Sequence, residues 1–413
     1  MGKLRRRLLI PILTLLLVTS ACRLPGSTRP VVKIGLAAPF EGLYRSLGYD
    51  ALYGVKLAVR ECNARGGVGG VMVELVALDD HFDPARAASV AREMAVDPDV
   101  MGVIGPLSSA VALAAQEEYQ RPGLAFVTLA TAETLTSNDT EGVFRLSARD
   151  ADLGAFAASY AVSELGARRV AILRHGEDDL ADAFVQTVQD AGAKVMWDGQ
   201  AAGDWPSVLR DVAPEVIFVT GDALAGADAA QRIREAGLTA TLFGGQEWAM
   251  PHLVSVGGDA VEHALYVTAA PAPADLDAED FIAGYQSLAG FPPGPYGAWA
   301  YDAAQVLLTA LDRAIRADGH PSRAGVMAQL SSLTDCQGLN GPITFDARGN
   351  RLSPPLYVYR IEDGKYPGQL VWHGTAPTRN AIDEERTLWY NDDGGGENTR
   401  RRAFDEARAG IYP

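Results

Sequence analysis

Two patterns of apolar residues alternate along this 413-residue chain. Short apolar runs predict strands that are buried on both faces. Longer segments, in which apolar residues such as Leu52, Val55 and Val59 recur three or four positions apart, predict helices. The predicted strands are 31–37, 71–78, 100–104, 124–129, 169–173, 194–197, 216–219, 241–244, 342–345 and 356–361, and the predicted helices are 49–64, 84–96, 109–120, 152–165, 180–191, 223–236, 298–317 and 322–333.

Strands and helices that alternate in this way predict parallel sheets covered by helices on both faces. The alternation is interrupted near 146–150 and again in the Pro-containing segment 269–275. A chain of this length is also too long for one simple core. We therefore predict an α/β protein with two lobes.

The N-terminus has the marks of a secretory signal. Lys3 and Arg5–Arg7 precede the apolar run 8–18, and small residues lead to Cys22. This ending resembles the lipobox of bacterial lipoproteins, although Thr19 stands where leucine is usual. We predict a lipoprotein signal peptide at 1–21, lipidation of Cys22 and a tether at 22–30; the alternative is a plain signal peptide with a chance cysteine.

Charge and cysteine content narrow the function classes. Removing the four signal-peptide cations leaves 32 basic residues against 52 acidic ones, which argues against nucleic acid or an anionic bilayer as the binding surface. No later segment reaches the length of a membrane span. Cys62 and Cys336 could form a disulfide or remain separate buried thiols.

The sequence contains no P-loop, no G-x-S-x-G elbow and no H-E-x-x-H motif. The glycines at 66–70 follow a helix and precede a strand, which favours a turn over a dinucleotide fingerprint. Asp79, Asp80 and His81 are the one local group that suggests a metal, and an acidic loop is the alternative. We expect no enzyme activity, no cofactor and no metal.

Hydroxyl groups follow two predicted strands of the first lobe. Ser108 and Ser109 come after 100–104, and Thr131 comes after 124–129. Open α/β sheets bind ligands at the carboxyl ends of their strands, where free N–H groups could hold a carboxylate. The alternative is that these residues only cap helices.

From 31 to 373 the chain resembles the branched-chain amino acid binding proteins of ABC importers, which have the type I periplasmic-binding fold. The order and spacing of short motifs carry the resemblance. These motifs are Ile34-Gly35-Leu36, Asn63-Ala64-Arg65-Gly66-Gly67-Val68, Asp79-Asp80, Asp83-Pro84, Val103-Ile104-Gly105, Ser108-Ser109, Ala130-Thr131-Ala132, Ala236-Gly237-Leu238, Tyr301-Asp302-Ala303 and Gly341-Pro342-Ile343-Thr344-Phe345-Asp346.

The resemblance implies two Rossmann-like lobes with parallel sheets, joined by three hinge crossings. The first lobe would comprise 31–149 and 272–352, and the second 150–271 and 353–374. The remaining 375–413 would be an acidic, Gly-rich tail that is poorly ordered. A ligand would lie in the cleft between the lobes.

The resemblance also assigns roles. Ser109 and Thr131, with Ser108 and the backbone near Leu129 and Ala130, would hold an α-carboxylate and an α-ammonium. Glu247, with Gln246 beside it, would meet the ammonium from the second lobe. Leu47 and Tyr296 would line the cleft from the first lobe.

The chain departs from the family at the closing lobe. Asp179 and Asp222 stand where relatives place tyrosines, and the cysteines that some relatives carry near Phe82 and Ser108 are absent. The two aspartates could favour a ligand with extra positive charge, or they could be solvated rim residues.

The resemblance implies a monomeric, extracytoplasmic binding subunit that is lipid-anchored and works with ABC permease and ATPase subunits. Its ligand would be an amino acid or a similar small polar molecule, captured by hinge closure. A ligand-sensing receptor domain and a secreted α/β hydrolase are the alternatives.

Overall fold

The computed structural model describes residues 31–136, 140–176, 178–334 and 336–376. The predicted signal peptide, the tether with Cys22 and nearly all of the predicted tail lie outside these ranges. Within them the chain forms two α/β lobes, each built around one sheet.

The first lobe begins with five parallel strands, which lie in the order β2-β1-β3-β4-β5. Asp83 caps the second helix through a bond from the Ala85 N–H, as its position before Pro84 suggests. The strands are β1 (Val31–Ala38), β2 (Met72–Asp79), β3 (Val100–Ile104), β4 (Phe126–Thr128) and β5 (Val143–Arg145), and the helices among them are α1 (Arg45–Ala64), α2 (Pro84–Val96) and α3 (Ser109–Gln120).

The chain then enters the second lobe and builds most of its sheet. The strands are β6 (Arg169–Arg174), β7 (Lys194–Gln200), β8 (Val216–Val219), β9 (Thr241–Gly244) and β10 (Leu265–Thr268), and the helices are α4 (Asp150–Ser163), α5 (Asp179–Asp190), α6 (Trp205–Val212), α7 (Ala223–Glu235) and α8 (Pro251–Gly257). The residues of β8 are all buried, as their continuous apolar run predicts.

The last part of the chain returns to the first lobe and then goes back to the second. Helices α9 (Glu279–Ala289), α10 (Pro295–Asp318) and α11 (Arg323–Ser331) pack on the first lobe, followed by a hairpin of β11 (Cys336–Gly338) and β12 (Gly341–Ile343). Strands β13 (Pro355–Glu362) and β14 (Lys365–Thr375) complete the second sheet, in the order β14-β13-β10-β9-β8-β6-β7.

The second sheet is not parallel throughout. Strand β13 runs antiparallel to both β10 and β14, whereas the other pairs are parallel. Strands β13 and β14 are joined by a direct turn, which makes them antiparallel. Strand β13 enters the sheet from the first lobe and not through a helix packed on the second sheet, so it runs opposite to β10. Strand β14 was not predicted, since half-buried and exposed residues alternate along it and leave no apolar run.

The chain passes between the two sheets three times: after β5, after β10 and before β13. The first and third passages are hydrogen-bonded to each other, because the Arg145 N–H donates to the Gly349 carbonyl at 2.7 Å and the Arg351 N–H donates to the Arg145 carbonyl at 3.1 Å. Asn340, from the hairpin, donates its side-chain N–H to the Ala269 carbonyl of the second passage at 3.2 Å. The passages therefore form one connected hinge.

Two helices of the first lobe approach each other closely. A Cβ atom on Gly54 of α1 would overlap the carbonyl oxygen of Gly297 in α10. Nearby, the buried Asp50 carboxylate accepts from the Gly297 N–H at 2.7 Å and the Gly294 N–H at 2.9 Å. These bonds fix the start of α10, from which Tyr296 extends. Cys62 of α1 and Cys336 are separate buried thiols, with no disulfide between them.

We expect Gly54→Ala to lower the free energy of unfolding by about 1 to 3 kcal/mol, because the added methyl group must push α1 and α10 apart. Urea denaturation followed by circular dichroism measures this loss. Gly284→Ala in α9 is the control, since its Cβ would meet only Leu57 methyl groups at 3.3 Å. Equal stability of the two variants would contradict the tight helix contact.

Candidate functional site

A cleft lies between the two lobes and is lined by residues from both. The lining residues are Phe82, Leu107, Ser108, Ser109, Leu129, Ala130, Thr131 and Tyr296 from the first lobe, and Gln246, Glu247 and Met250 from the second.

The first-lobe wall brings together the start of α3 and the loop after β4. The Ser109 hydroxyl oxygen accepts from the N–H groups of Thr131 at 3.2 Å and Ala132 at 3.1 Å. The same oxygen lies 3.4 Å from the Thr131 hydroxyl oxygen, and either hydroxyl can be the donor between them. Ser108 caps α3, accepting from the Val111 N–H at 3.4 Å, so it has the structural role that was the alternative for it.

Leu129 and Ala130 are almost fully buried, at 1% and 2% exposed, so only their backbone borders the cleft. The loop that carries them rests on Arg145, which is fully buried. Arg145 donates to the Ala132 carbonyl at 2.7 Å and the Ala130 carbonyl at 3.4 Å. Ser147 donates a second bond to the Ala130 carbonyl at 2.6 Å. These bonds from Arg145 and Ser147 therefore hold the backbone of the loop in place.

Arg145 has no carboxylate partner among the described residues; its remaining bonds go to Thr136 at 2.9 Å and Asn350 at 3.1 Å. Burial lowers the pKa of this guanidinium to about 10, so it stays charged at neutral pH. Asn350 belongs to the third passage between the lobes. Arg145 therefore connects the ligand-facing loop to the hinge.

The second-lobe wall is a short 3-10 turn, Gln246–Trp248, directly after β9. The Gln246 side-chain oxygen accepts from the Ala269 N–H at 2.8 Å and the Thr268 hydroxyl at 3.0 Å. Burial raises the pKa of Tyr296 on the opposite lobe, and a hydrogen bond with the Gln246 side chain opposes this shift. Trp248 fills the space behind the turn and is fully buried, which orients Gln246 and Glu247 toward the cleft.

Glu247 lines the cleft, and Asp150, Asp178 and Asp222 lie close enough to it to interact with it electrostatically. Burial, with smaller contributions from Asp222 and Asp178, raises the pKa of Glu247 to about 7. Burial and the charges of Asp178 and Glu247 raise the pKa of Asp150 to about 7, although a bond from Thr131 opposes the shift. Glu247 is enclosed by both lobes but still meets the solvent of the cleft.

A hydrogen bond joins the lobes at the edge of the cleft. The Tyr44 hydroxyl, just before α1, donates to the Asp222 carboxylate at 3.2 Å. Burial and this carboxylate raise the pKa of Tyr44 to about 12. The Tyr44 ring packs on Phe82, with centroids 4.4 Å apart, and on His252 of the second lobe at 5.7 Å.

Eight of the eleven sequence-predicted site residues line this cleft: Ser108, Ser109, Leu129, Ala130, Thr131, Gln246, Glu247 and Tyr296. Asp222 lies at its edge, through the bond to Tyr44. Leu47 instead packs in the first-lobe core, 4% exposed, because its position on α1 faces inward. Asp179 is exposed at the start of α5, and the neighbouring Asp178 is the residue that caps this helix by accepting from the Leu180 N–H at 2.9 Å.

Several residues of this region could not be predicted from the sequence. Tyr44 lies one helical turn before Leu47, and Phe82 follows β2 in a left-handed turn at φ 59°. Asp150 and Asp178 both stand at helix starts, where an acid is ordinarily read as a cap. Their position at helix starts could have identified them as site residues, because helix starts at the carboxyl ends of strands face the cleft of such folds.

The group Asp79, His81 and Glu41 lies near the edge of the first lobe. The His81 Nε2 is 3.0 Å from the Asp79 carboxylate and 4.0 Å from that of Glu41. Asp79 already accepts from the N–H groups of Phe40 and His81, so it orders its own loop. The expectation that the protein uses no metal therefore stays a prediction.

No helix in the described part of the chain is long and apolar enough to cross a membrane.

Comparisons with known proteins agree with this architecture. The family model described as "Periplasmic binding protein" matches residues 31–365. A Leu/Ile/Val-binding protein homolog of Brucella melitensis is 26% identical over 82% of this chain and 93% of its own length. An amino acid binding protein of Pseudomonas aeruginosa is 27% identical over 85% of this chain and 96% of its own length.

Among solved structures, a leucine binding protein from Thermotoga maritima superposes with a TM-score of 0.72 at 26% identity, covering 83% of this chain and 98% of that one. The two-lobed fold, the interlobe cleft and the family model lead to the same conclusion. The chain belongs to the periplasmic binding protein family, and its lobes form the extracytoplasmic, ligand-binding clamp of that family.

Proposed function

We propose that this protein is the solute-binding subunit of an ABC importer and that it captures an amino acid between its lobes. The observation that carries the proposal is the pairing of two unlike surfaces across one cleft. Hydroxyl and N–H groups of Ser109 and Thr131 lie on the first lobe, and the unpaired carboxylate of Glu247 lies on the second. The names of the two curated relatives support the same ligand class.

These surfaces match the two ends of an amino acid. The Ser109 hydroxyl, at the N-terminal end of α3, would donate a hydrogen bond to the α-carboxylate. Glu247 would pair with the α-ammonium, because no donor reaches its carboxylate from the described residues. Tyr296 and the backbone of Leu129 and Ala130 would border the rest of the ligand.

Closure of the clamp would be completed by contacts between the lobes. Asp222 supplies one such contact with Tyr44 at 3.2 Å. Arg145 is bonded both to the ligand-facing loop and to the hinge. Rotation at the hinge would therefore affect the position of the loop. Leu47 and Asp179 would act only indirectly, through the core and the start of α5.

The proposal extends to parts of the chain outside the described residues. Cys22 would carry the lipid that holds the protein at the membrane, and residues 23–30 would be the tether. Permease and ATPase subunits would be its partners, and it would act as a monomer. The predicted lobe boundaries, with 31–149 and 272–352 in the first lobe, remain part of this proposal.

The hydrolase alternative has no support in the cleft. The oxygen of Ser109 is bonded to two backbone N–H groups and lies 3.4 Å from the Thr131 hydroxyl, and none of these groups is a general base. Gene context would separate an importer from a sensing receptor, because only an importer requires permease and ATPase genes beside it.

We expect Ser109→Ala to weaken amino acid binding by about tenfold, because it removes a hydrogen bond to a charged carboxylate. Isothermal titration calorimetry of the purified protein, against the amino acid that a thermal-shift screen identifies, measures this effect. Ser89→Ala, on an exposed turn of α2, is the control and should bind as the wild type does. Unchanged affinity in Ser109→Ala would contradict the carboxylate position.

We expect affinity to fall as the pH falls from 7.5 to 6. The Glu247 carboxyl has a pKa of about 7 without ligand, and an ammonium beside it would lower that pKa, so binding releases a proton in this range. For each proton that binding releases, the dissociation constant should rise by up to about tenfold per pH unit below pH 7. Titrations at several pH values measure the slope.

Two substitutions test the assignment of this proton. Glu247→Gln should bind more weakly and lose part of the pH dependence, whereas Glu235→Gln, on the exposed end of α7, should retain all of it. A Glu247→Gln variant with the full wild-type slope would show that another group releases the proton.

A further inference from the structure

One hydrogen bond joins the two lobes at a place where the chain itself does not connect them. Tyr44 lies between β1 and α1 of the first lobe, and Asp222 lies between β8 and α7 of the second. The Tyr44 hydroxyl donates to the Asp222 Oδ2 at 3.2 Å, although 178 residues separate the two in the sequence. Since neither residue belongs to a passage between the lobes, a rotation at the hinge that opens the clamp would separate them.

The Asp222 carboxylate is oriented for this bond by the helix that it caps. Its Oδ1 accepts from the Ala225 N–H at 2.8 Å, and its Oδ2 is the atom that accepts from Tyr44. The two oxygens therefore have separate partners. One fixes the carboxylate at the start of α7, and the other is bonded to the opposite lobe.

Tyr44 is also held on its own lobe. The loop before it is tied by a bond from the Phe40 N–H to the Asp79 carboxylate at 2.9 Å, and the Tyr44 carbonyl accepts from the Leu47 N–H at 3.0 Å. The Tyr44 ring packs on Phe82, with centroids 4.4 Å apart. A side chain that is already fixed loses little conformational entropy when it forms a further contact. The bond to Asp222 therefore contributes to the stability of the closed arrangement.

The contact lies beside the cleft but outside its lining. Phe82 of the first lobe and Met250 of the second line the cleft, whereas Tyr44 and Asp222 are not among the described residues that line it. The Tyr44 ring packs on Phe82 and also meets the ring of His252, two residues after Met250, at 5.7 Å and an interplanar angle of 72°. Tyr44 thus contacts both lobes next to the cleft wall without bordering the space for a ligand.

We infer that Tyr44 and Asp222 form a latch, which holds the clamp closed after an amino acid has entered. The inference rests on the proposed function, in which the lobes close around the ligand. A bond that exists only in the closed arrangement stabilises that arrangement whichever ligand is inside. Tyr44 is therefore a positioning residue: it sets how slowly the amino acid leaves and not which amino acid is chosen.

The test separates entry from release. Tyr44→Phe keeps the ring on Phe82 and removes only the hydroxyl, so we expect the rate constant of release to rise about tenfold and that of association to stay unchanged. Stopped-flow fluorescence measures both rate constants with leucine, and with the other protein amino acids where leucine does not bind. Every amino acid that binds should be released faster by the same factor, because the latch does not contact it. Tyr49→Phe, at an exposed tyrosine of α1, is the control and should behave as the wild type does.

A second variant tests the partner of Tyr44. Asp222→Ser keeps one oxygen to cap α7 but lacks the second oxygen that the latch requires, so it should also release amino acids faster. Because Asp222 acts electrostatically on Glu247 as well, the double variant is decisive. Adding Tyr44→Phe to Asp222→Ser should not speed release further, since both changes remove the same bond. Asp211→Ser, on the exposed surface of the same lobe, is the control for a general loss of charge, and thermal melting checks that every variant folds.

Small-angle X-ray scattering of the ligand-free protein tests the latch without any binding. We expect a larger radius of gyration in Tyr44→Phe than in the wild type, because loss of the bond shifts the lobes toward the open arrangement.

The outcomes separate the two proposals. Where an amino acid binds, equal release from the wild type and Tyr44→Phe, or a further rise in the double variant, would overturn the latch and leave amino acid import standing. A factor that differs between amino acids would overturn the positioning role, because Tyr44 would then contact the ligand. If no amino acid binds, the proposed function is overturned and the radius of gyration decides on the latch: a larger radius in Tyr44→Phe supports it, and an equal radius overturns it too.

Discussion

A buried arginine, which has no carboxylate partner within the described ranges, connects the ligand-facing loop to the hinge. Arg145 donates to the carbonyls of Ala130 and Ala132, which shape the ligand-facing loop, and to Asn350 in the third passage between the lobes. Removing a charge of this kind from water is costly, and only a full set of acceptors offsets the cost. The loop and the hinge are therefore held in one arrangement, because a change in either would leave donors of Arg145 unsatisfied.

The cleft is built in the opposite way. The Glu247 carboxylate accepts no bond from the described residues. Burial disfavours its charged form and raises its pKa to about 7. A ligand that pairs with this carboxylate offsets the cost of burying it and favours the closed clamp. The bonds of Arg145 hold the opposite wall of the cleft in place.

Much of the frame could be predicted from the sequence. The bounds of β3, β8 and β9 and of α3 agree with the predicted segments, since each is an apolar run or an amphipathic segment between clear turn residues. Strand β14 and helices α6, α8 and α9 could not be predicted in this way, because they are short or only partly buried and their form depends on neighbours far along the chain. The antiparallel direction of β13 likewise follows from its entry out of the other lobe.

The same distinction between local pattern and tertiary packing applies to the residues of the site. The sequence pattern by itself determined the two-lobed α/β plan and the loops of Ser109 and Thr131, because strand ends are local features and ligand loops follow them. Glu247 was expected only from the resemblance to a family. Only the tertiary structure decided that Asp178 rather than Asp179 caps α5, that Leu47 turns into the core, and that Tyr44 reaches Asp222 178 residues away. The physical reason is that one residue along a helix turns a side chain by about 100°. Packing determines which face of a helix meets the opposite lobe, and the local sequence does not specify this face.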